Sequence, residues 1–385
     1  MKAPRIVVVA LVIVIALSFI TGFTQAAPGQ KQEARKPDTK QPQREVLPKE
    51  IKAAIQEGLA TRQGRQDIPF TIFRSQILPV QGGMHTVLFF RAKNSDFGYA
   101  APVPAAPGAK NQPAQPAAPA AGVLEARLAL AIELFQPDGT GALKSGREYT
   151  VPMTLQTDAA TYDPNKEEWY SVGLQLPFGK YTAAMVICPI DPKKGTVDIK
   201  KIGISYYDVV LPGPETYAGA LETTPVLLVR SMESMPTYEQ RPTVHRGLFT
   251  YSVLQVVPNI DNVVTADDKG QIEAIFFILG AKPKEEPAQM QSLPTQQQAQ
   301  PQQPKYEIEI NYEVQKEDGS TAVKWQSQNY PSPLVDQTLP LKKTTKTGDK
   351  TEVKDLEPGK YSLVLKILDK VSELKLEKKV PFEVK

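Results

Sequence analysis

Residues 305–316 read KYEIEINYEVQK, and this stretch decides the fold. Tyr306, Ile308, Ile310, Tyr312 and Val314 alternate with Glu307, Glu309, Asn311 and Glu313. A period of two puts all the apolar side chains on one face of a strand and the acids on the other. A strand so divided needs a second sheet to cover its apolar face. The carboxylate row Glu307/Glu309/Glu313 reads as a solvated face that discourages edge pairing rather than as a metal or acid/base site.

Working outward, the same period recurs on both sides. Downstream lie Ala322–Tyr330, Thr351–Leu356, Tyr361–Asp369 and Leu374–Val384; upstream lie Leu248–Val257 and Gln271–Gly280. An earlier series occupies Phe70–Arg74, Met84–Ala92, Val123–Phe135, Glu148–Leu155, Trp169–Leu176, Tyr181–Cys188 and Ile202–Leu211. Short strands separated by turn residues describe a β-sandwich, here twice over. The two series share landmarks 180 residues apart. Ala126-Leu128-Leu130-Ile132-Leu134 matches Tyr306 to Val314, Asp138-Gly139 matches Asp318-Gly319, and Leu176…Gly179-Lys180-Tyr181 matches Leu356…Gly359-Lys360-Tyr361. Phe70-Thr71 matches Phe249-Thr250 at 179, and Phe89-Phe90 matches Phe276-Phe277 after a further shift of seven. Both series carry a low-complexity insert after their second strand, Pro/Ala-rich at 100–122 and Pro/Gln-rich at 282–304. Such compositions favour extended, protease-sensitive loops.

The expected fold is all-β: two tandem β-sandwiches related by internal duplication, with a short N-terminal helix and Pro-rich loops. The expected organisation is a signal peptide over 1–26 and a tail with an amphipathic helix over 27–65. A first sandwich over 66–212, a connector over 213–245 and a second sandwich over 246–385 follow. The helix rests on Leu47, Ile51, Ile55 and Leu59 at steps of four, with Pro48 suited to a first turn. Too short to be stable alone, it is expected to dock on the first sandwich.

The segments Leu176-Pro-Phe-Gly-Lys-Tyr181 and Leu356-Glu-Pro-Gly-Lys-Tyr361 are the most specific signal. Gly179 and Gly359 supply the backbone freedom of a tight crossing turn, and Tyr181 and Tyr361 open the next strand. A tyrosine at such a corner resembles the one whose hydroxyl bonds back to the chain in immunoglobulin-like and fibronectin-III-like sandwiches. The run Leu-x-Pro-Gly-x-Tyr-x-Leu-x-Leu-x-x-x-Asp (Leu356 to Asp369) resembles such modules in bacterial exported proteins. Residues 225–385 resemble the C-terminal sandwich of the GWxTD and VWFA-related secreted proteins. The shared residues are Pro225-Val-Leu-Leu228, Phe249…Val257-Pro258-Asn259, the Asp318-Gly319 hairpin and the Pro358-Gly-Lys-Tyr361 corner. The GWxTD motif and the Asp-x-Ser-x-Ser metal site are absent from this sequence. The resemblance implies a fold and a compartment, and brings no catalytic residue with it.

Composition narrows the function. Among 385 residues are 35 prolines, one cysteine and two histidines, which excludes an internal disulfide, a cysteine zinc cage and a His-rich metal site. The net charge of +3 is unevenly spread. Residues 1–26 carry +2 and residues 27–65 carry +4, leaving −3 for the remainder. That balance argues against nucleic-acid binding, which needs a basic stripe. Lys2 and Arg5, the apolar run Ile6–Ile20 and the small-residue site before Ala26 have the three-part pattern of a secretory signal. Two readings stay open: cleavage after Ala26, or retention of Ile6–Phe23 as an anchor, the only route to a membrane. Either gives an extracytoplasmic protein, periplasmic or secreted.

No catalytic residue, cofactor or metal ligand is expected. His85 and His245 lie near no Gly-x-Ser-x-Gly elbow. Cys188 has the opposite parity to Tyr181, Ala183, Met185 and Ile187 and reads as a small strand residue. Two loops, with Asp158, Asp163, Asn165 and Glu167 and with Asp261, Asn262, Asp267 and Asp268, have calcium-like oxygens but read as hydrated turns. Trp169, on the face opposite Tyr170, Val172, Leu174 and Leu176, is the candidate surface-binding residue, with Tyr206 and Tyr207. A tryptophan covered by a loop or a neighbouring domain is the competing reading. The function expected is a non-catalytic exported structural or interaction protein with a protein or cell-envelope partner. The alternatives are a carbohydrate-binding module using exposed aromatics and, third, a hydrolase built on loops.

Overall fold

A computed structural model describes residues 47–101, 122–191, 196–284, 304–347 and 350–385. The signal-like stretch and both low-complexity inserts therefore lie outside the described residues, apart from the inserts' ends. Among the described residues the chain is all-β apart from helix α1 (Lys49–Leu59) and three short 3-10 turns.

Two antiparallel sheets face each other in the first half. One has the order β1 (Thr71–Val80), β2 (Gly83–Lys93), β5 (Glu167–Leu176), β10 (Val244–Arg246). The other has the order β4 (Leu143–Asp158), β3 (Val123–Pro137), β6 (Gly179–Pro189), β7 (Gly203–Leu211). Between them lies one core, in which Leu88, Phe90, Leu128, Leu130, Ile132, Tyr170, Val172 and Met185 are almost wholly buried.

The second half also has two facing sheets. Its inner sheet runs β11 (Phe249–Tyr251), β12 (Leu254–Pro258), β9 (Leu227–Ser234), β14 (Gln271–Leu279), β18 (Leu334–Pro340), and β8 (Glu222–Thr223) pairs with the end of β14. Its outer sheet runs β13 (Val263–Val264), β22 (Lys375–Val384), β21 (Gly359–Asp369), β15 (Ile308–Lys316), β16 (Thr321–Lys324), with β17 (Gln328–Tyr330) also on β15. All pairings are antiparallel except β13 with β22. Ile308, Ile310, Tyr312 and Val314 point into the second core and are each 0% exposed. On the outward face Lys366 pairs with Glu313 and Lys370 with Glu309.

The packing does not end with two cores. Leu47, Ile51, Ile55 and Leu59 lay α1 across the outer face of the β4-β3-β6-β7 sheet. Ala129, Ala131 and Ala184 beneath it are small enough to admit the helix backbone closely. Lys52 Nζ to Glu148 Oε1 (2.7 Å) and the Tyr206 hydroxyl donating to the Ile55 carbonyl (2.6 Å) fix the helix's position. Burying four such side chains contributes about 6–12 kcal/mol gross, before the entropy of ordering the segment.

A further apolar layer joins the halves. The outer face of β1-β2-β5 presents Leu78, Val87, Phe89 and Trp169, and the second half's inner sheet meets it with Leu227, Val229, Phe249, Tyr251, Val256 and Ile275. Four sheets are thus stacked in series, with α1 over one outermost face. Polar contacts surround this joint. Gln76 Nε2 donates to the Pro225 carbonyl (2.8 Å), the Tyr251 hydroxyl to that of Pro79 (2.7 Å), and Arg91 pairs with Asp261 (2.6 Å).

Three expectations need correction. The segment 213–245 is not a connector: it holds β8 and β9, which build the second half, and the start of β10, which completes a sheet of the first. Phe249 is not the counterpart of Phe70, because β11 pairs with β12 at a sheet edge, whereas the strand beside β14 in the place of β1 is β9. The spacing of 180 is not one register carried through. Glu167 and Leu334, the starts of β5 and β18, are 167 apart, while Gly179 and Gly359, the starts of β6 and β21, are 180 apart. A hairpin of β19 (Lys342–Thr347) and β20 (Lys350–Asp355) makes up the difference. It leaves and rejoins at one point, where the Leu356 N–H donates to the Leu341 carbonyl (3.1 Å). The run Thr351–Leu356 is therefore mostly one arm of that hairpin, and the strand facing β14 is β18.

Candidate functional site

The two corners come first, because they orient every later strand. Gly179 (φ +148°) and Gly359 (φ +156°) adopt a backbone that favours glycine. The Tyr181 hydroxyl donates to the Pro177 carbonyl and the Tyr361 hydroxyl to the Glu357 carbonyl, each at 2.9 Å and four residues back. Burial raises both phenols. The preceding hairpins also agree: Asp138 Oδ1 accepts from Thr140 N (2.8 Å) and Oγ1 (2.6 Å), and Asp318 Oδ1 from Ser320 N (2.8 Å) and Oγ (2.6 Å). A cleft of about 130 Å³ beside the first corner, lined by Leu134, Gln136, Gly146, Arg147, Pro177 and Tyr181, is smaller than the few hundred Å³ that enclose an ordinary ligand.

The three candidate surface aromatics occupy three different layers. Trp169 packs in the joint, edge-on to Phe89 with ring centroids 5.9 Å apart. Tyr206 lies under α1, and Tyr207 packs against the first core beside Ser75. The structure brings no two of them onto one surface.

The oxygen-rich loops are occupied by the protein itself. Asp158 Oδ1 accepts from Ala160 N and Asp163 Oδ1 from Asn165 N, the geometry of Asx turns. Asp261 pairs with Arg91, and Asp268 pairs with Arg230 while capping Thr265. Among the described residues, no group of three His, Cys, Asp or Glu side chains is placed to hold a metal ion. Cys188 points under α1 as its parity requires, and burial pushes its thiol up to about 12. Glu133, also beneath α1, is 2% exposed. Burial raises its carboxyl, opposed by Ser145, with Glu148 adding repulsion.

Both histidines converge on one place, which the sequence did not announce. His85, on the outer face of β2, has Nε2 2.9 Å from the Thr250 carbonyl on β11. The Thr250 hydroxyl donates to Glu239 Oε2 (2.9 Å), and His245 Nε2 on β10 lies 3.0 Å from the same carboxylate. The His85 ring occupies space that Gly173 vacates, since a Cβ there would come within 2.7 Å of Cε1. The Tyr251 ring lies 5.8 Å away. Burial lowers the His85 imidazole to about 4, against smaller opposing contributions from the Thr250 carbonyl and Glu239. The ring is therefore neutral at pH 7, and Nε2–H donates across the joint. The arrangement has no nucleophile positioned against an imidazole; it can bind the two halves together and take up a proton.

Among the described residues no helix is long and apolar enough to cross a membrane. Comparison of the chain with protein-family models and with curated proteins finds no match in either.

Proposed function

We propose that the chain is a non-catalytic exported protein of immunoglobulin-like sandwiches that acts as a scaffold or interaction module in the cell envelope. The observation that carries this reading is where the two Pro-rich inserts are rooted. Both leave the sheet that faces the joint, after β2 and β14, and return on the opposite sheet at β3 and β15. Each root is tied. Ala100 and Glu125 exchange backbone bonds of 3.0 and 2.8 Å, and the Lys284 N–H donates to the Lys305 carbonyl at 2.7 Å. A stacked β body that holds two proline-rich segments at closed stems suits presentation to a partner with an aromatic-lined groove. The matching corners and hairpin turns support descent of the two halves from one duplicated unit.

A protein partner is favoured over a glycan, because Trp169, Tyr206 and Tyr207 share no surface. The test is crosslinking and capture from envelope extracts with the full chain and with variants lacking 103–120 or 286–302. Loss of the captured partner in either deletion supports the reading, and undiminished capture by both refutes it. Hydrolytic turnover that His85→Ala abolishes would overturn its non-catalytic part.

A further inference from the structure

We propose that the joint between the sandwiches is an acid-released latch: His85 is its sensor, and the β11–β12 flap is the part it frees. This goes beyond the scaffold reading and rests on the joint's geometry alone. The flap, Phe249–Pro258, is the outermost portion of the second half's inner sheet, and its Phe249, Tyr251 and Val256 side chains fill the joint. Its root is short. Only Gly247 and Leu248 separate β10, a strand of the first half, from β11, a strand of the second. Gly247 has φ +72°, with open space where a Cβ would stand.

The flap and its root are tied to the first half by neutral bonds, from the Gly247 N–H to the Trp169 carbonyl (3.2 Å), from Ser171 Oγ to the Leu248 carbonyl (2.6 Å) and from the Tyr251 hydroxyl to the Pro79 carbonyl (2.7 Å). Two further bonds involve ionisable groups. His85 donates to the Thr250 carbonyl, and the Thr250 hydroxyl donates to Glu239, whose carboxylate also engages His245. The groups around His85 are mostly neutral. Its neighbours on β1 and β5 are Leu78, Gln175 and Gly173, and β11 contributes Thr250 and Tyr251. Among the described residues the carboxylate acting on it is Glu239, shared with His245. A second proton on the ring would place a charge among Tyr251, Gly173 and backbone, with Glu239 as partial compensation. Opening the flap returns that charge to water.

The sign follows directly. His85 titrates near 6.5 when free and near 4 in the closed joint. Its contribution to closure is complete above pH 6.5, shrinks as pH falls from 6.5 towards 4, and is gone below that. The closed:open ratio should fall on the order of 100-fold between neutral pH and pH 4.

Trp169 supplies the readout, because it packs against Phe89, which in turn meets Phe249. The experiment uses the full chain carrying Trp325→Phe, which leaves Trp169 as the sole tryptophan. Iodide quenching of Trp169 is followed from pH 8 to pH 4, with far-UV circular dichroism recorded in parallel. Quenching should rise below about pH 5.5 with the β signal retained. Adding His85→Gln, which keeps an amide donor for the Thr250 carbonyl but cannot charge, should abolish the rise. Identical profiles with and without His85→Gln, or no rise in either, would overturn the proposal. Should His85→Gln open the joint even at pH 7, Glu239→Ala decides. It removes both the acceptor that clamps Thr250 and the compensating charge, so the rise must move to higher pH, and an unmoved midpoint refutes the latch.

Discussion

Phe89 and Phe90 are consecutive residues of β2, each 0% exposed, pointing to opposite faces of one sheet. Phe90 stacks on Tyr170 inside the first core at 5.4 Å. Phe89 meets Phe249 edge-on at 5.8 Å across the joint, Trp169 at 5.9 Å and Phe73 at 6.4 Å. Truncating a buried phenylalanine to alanine costs about 3–5 kcal/mol from lost transfer energy and the cavity left behind. Were the halves independent, Phe89 would be a surface residue and its loss would cost about 0.5 kcal/mol or less. The stacked arrangement instead requires Phe89→Ala to cost nearly as much as Phe90→Ala. With a urea m-value of about 3 kcal/mol per M, each midpoint falls by about 1 M or a little more. The shapes should differ. Phe90→Ala weakens one core and the joint stays sealed, whereas Phe89→Ala uncouples the halves and should broaden or split the transition. Urea unfolding followed by circular dichroism and tryptophan emission measures both. A Phe89→Ala loss below about 1 kcal/mol with an unchanged single transition would refute the joint as a packed layer.

Three further outcomes are expected. Tyr181→Phe and Tyr361→Phe each remove one hydroxyl-to-carbonyl bond of 2.9 Å and should each lower stability by about 1 kcal/mol, by equal amounts in urea titrations. Cys188, with its thiol pushed up to about 12, should resist a thiol reagent at pH 8 in the native protein and react at once in denaturant. Ile55→Glu puts a charge into the layer beneath α1, where Ile55 is 0% exposed. It should expose Cys188 to the same reagent while leaving the strand signal in circular dichroism intact.

Strands with one wet face were legible because their alternation survives in the sequence. KYEIEINYEVQK predicts β15 to its last residue and overruns its start by three, and the i, i+4 apolar steps predict α1. The corners were legible because glycine and tyrosine at that spacing serve one local geometry. What escaped was the third dimension of the stack. Leu227-Leu-Val229 shows no alternation, since Leu228 faces the second core while Leu227 and Val229 face the joint, so β9 passed as connector. The same two-sided burial makes Val87-Leu-Phe-Phe90 and Ala183-Ala-Met-Val-Ile-Cys188 continuous apolar runs. Such runs were themselves a signal: in a plain two-layer sandwich every strand should alternate, and those that do not announce another layer. The regular spacing of 180 misled for a different reason, because a shortfall before β18 is balanced by the β19–β20 hairpin. The histidine pair was illegible, since nothing local links residues 85, 239, 245 and 250.

The placement of β10 governs how this protein can be taken apart or put together. Residues 222–234 belong to the second half, yet residues 244–246, further along the chain, close a sheet of the first. No single cut can excise either half whole. A fragment ending at 212 leaves the outer edge of β5 bare, and one starting at 246 lacks β8 and β9. During synthesis the earlier half must wait, its last strand missing, until the ribosome has delivered the opening strands of the later one. These halves are therefore not beads to be strung singly or shuffled among genes; inheritance must carry them as an inseparable couple.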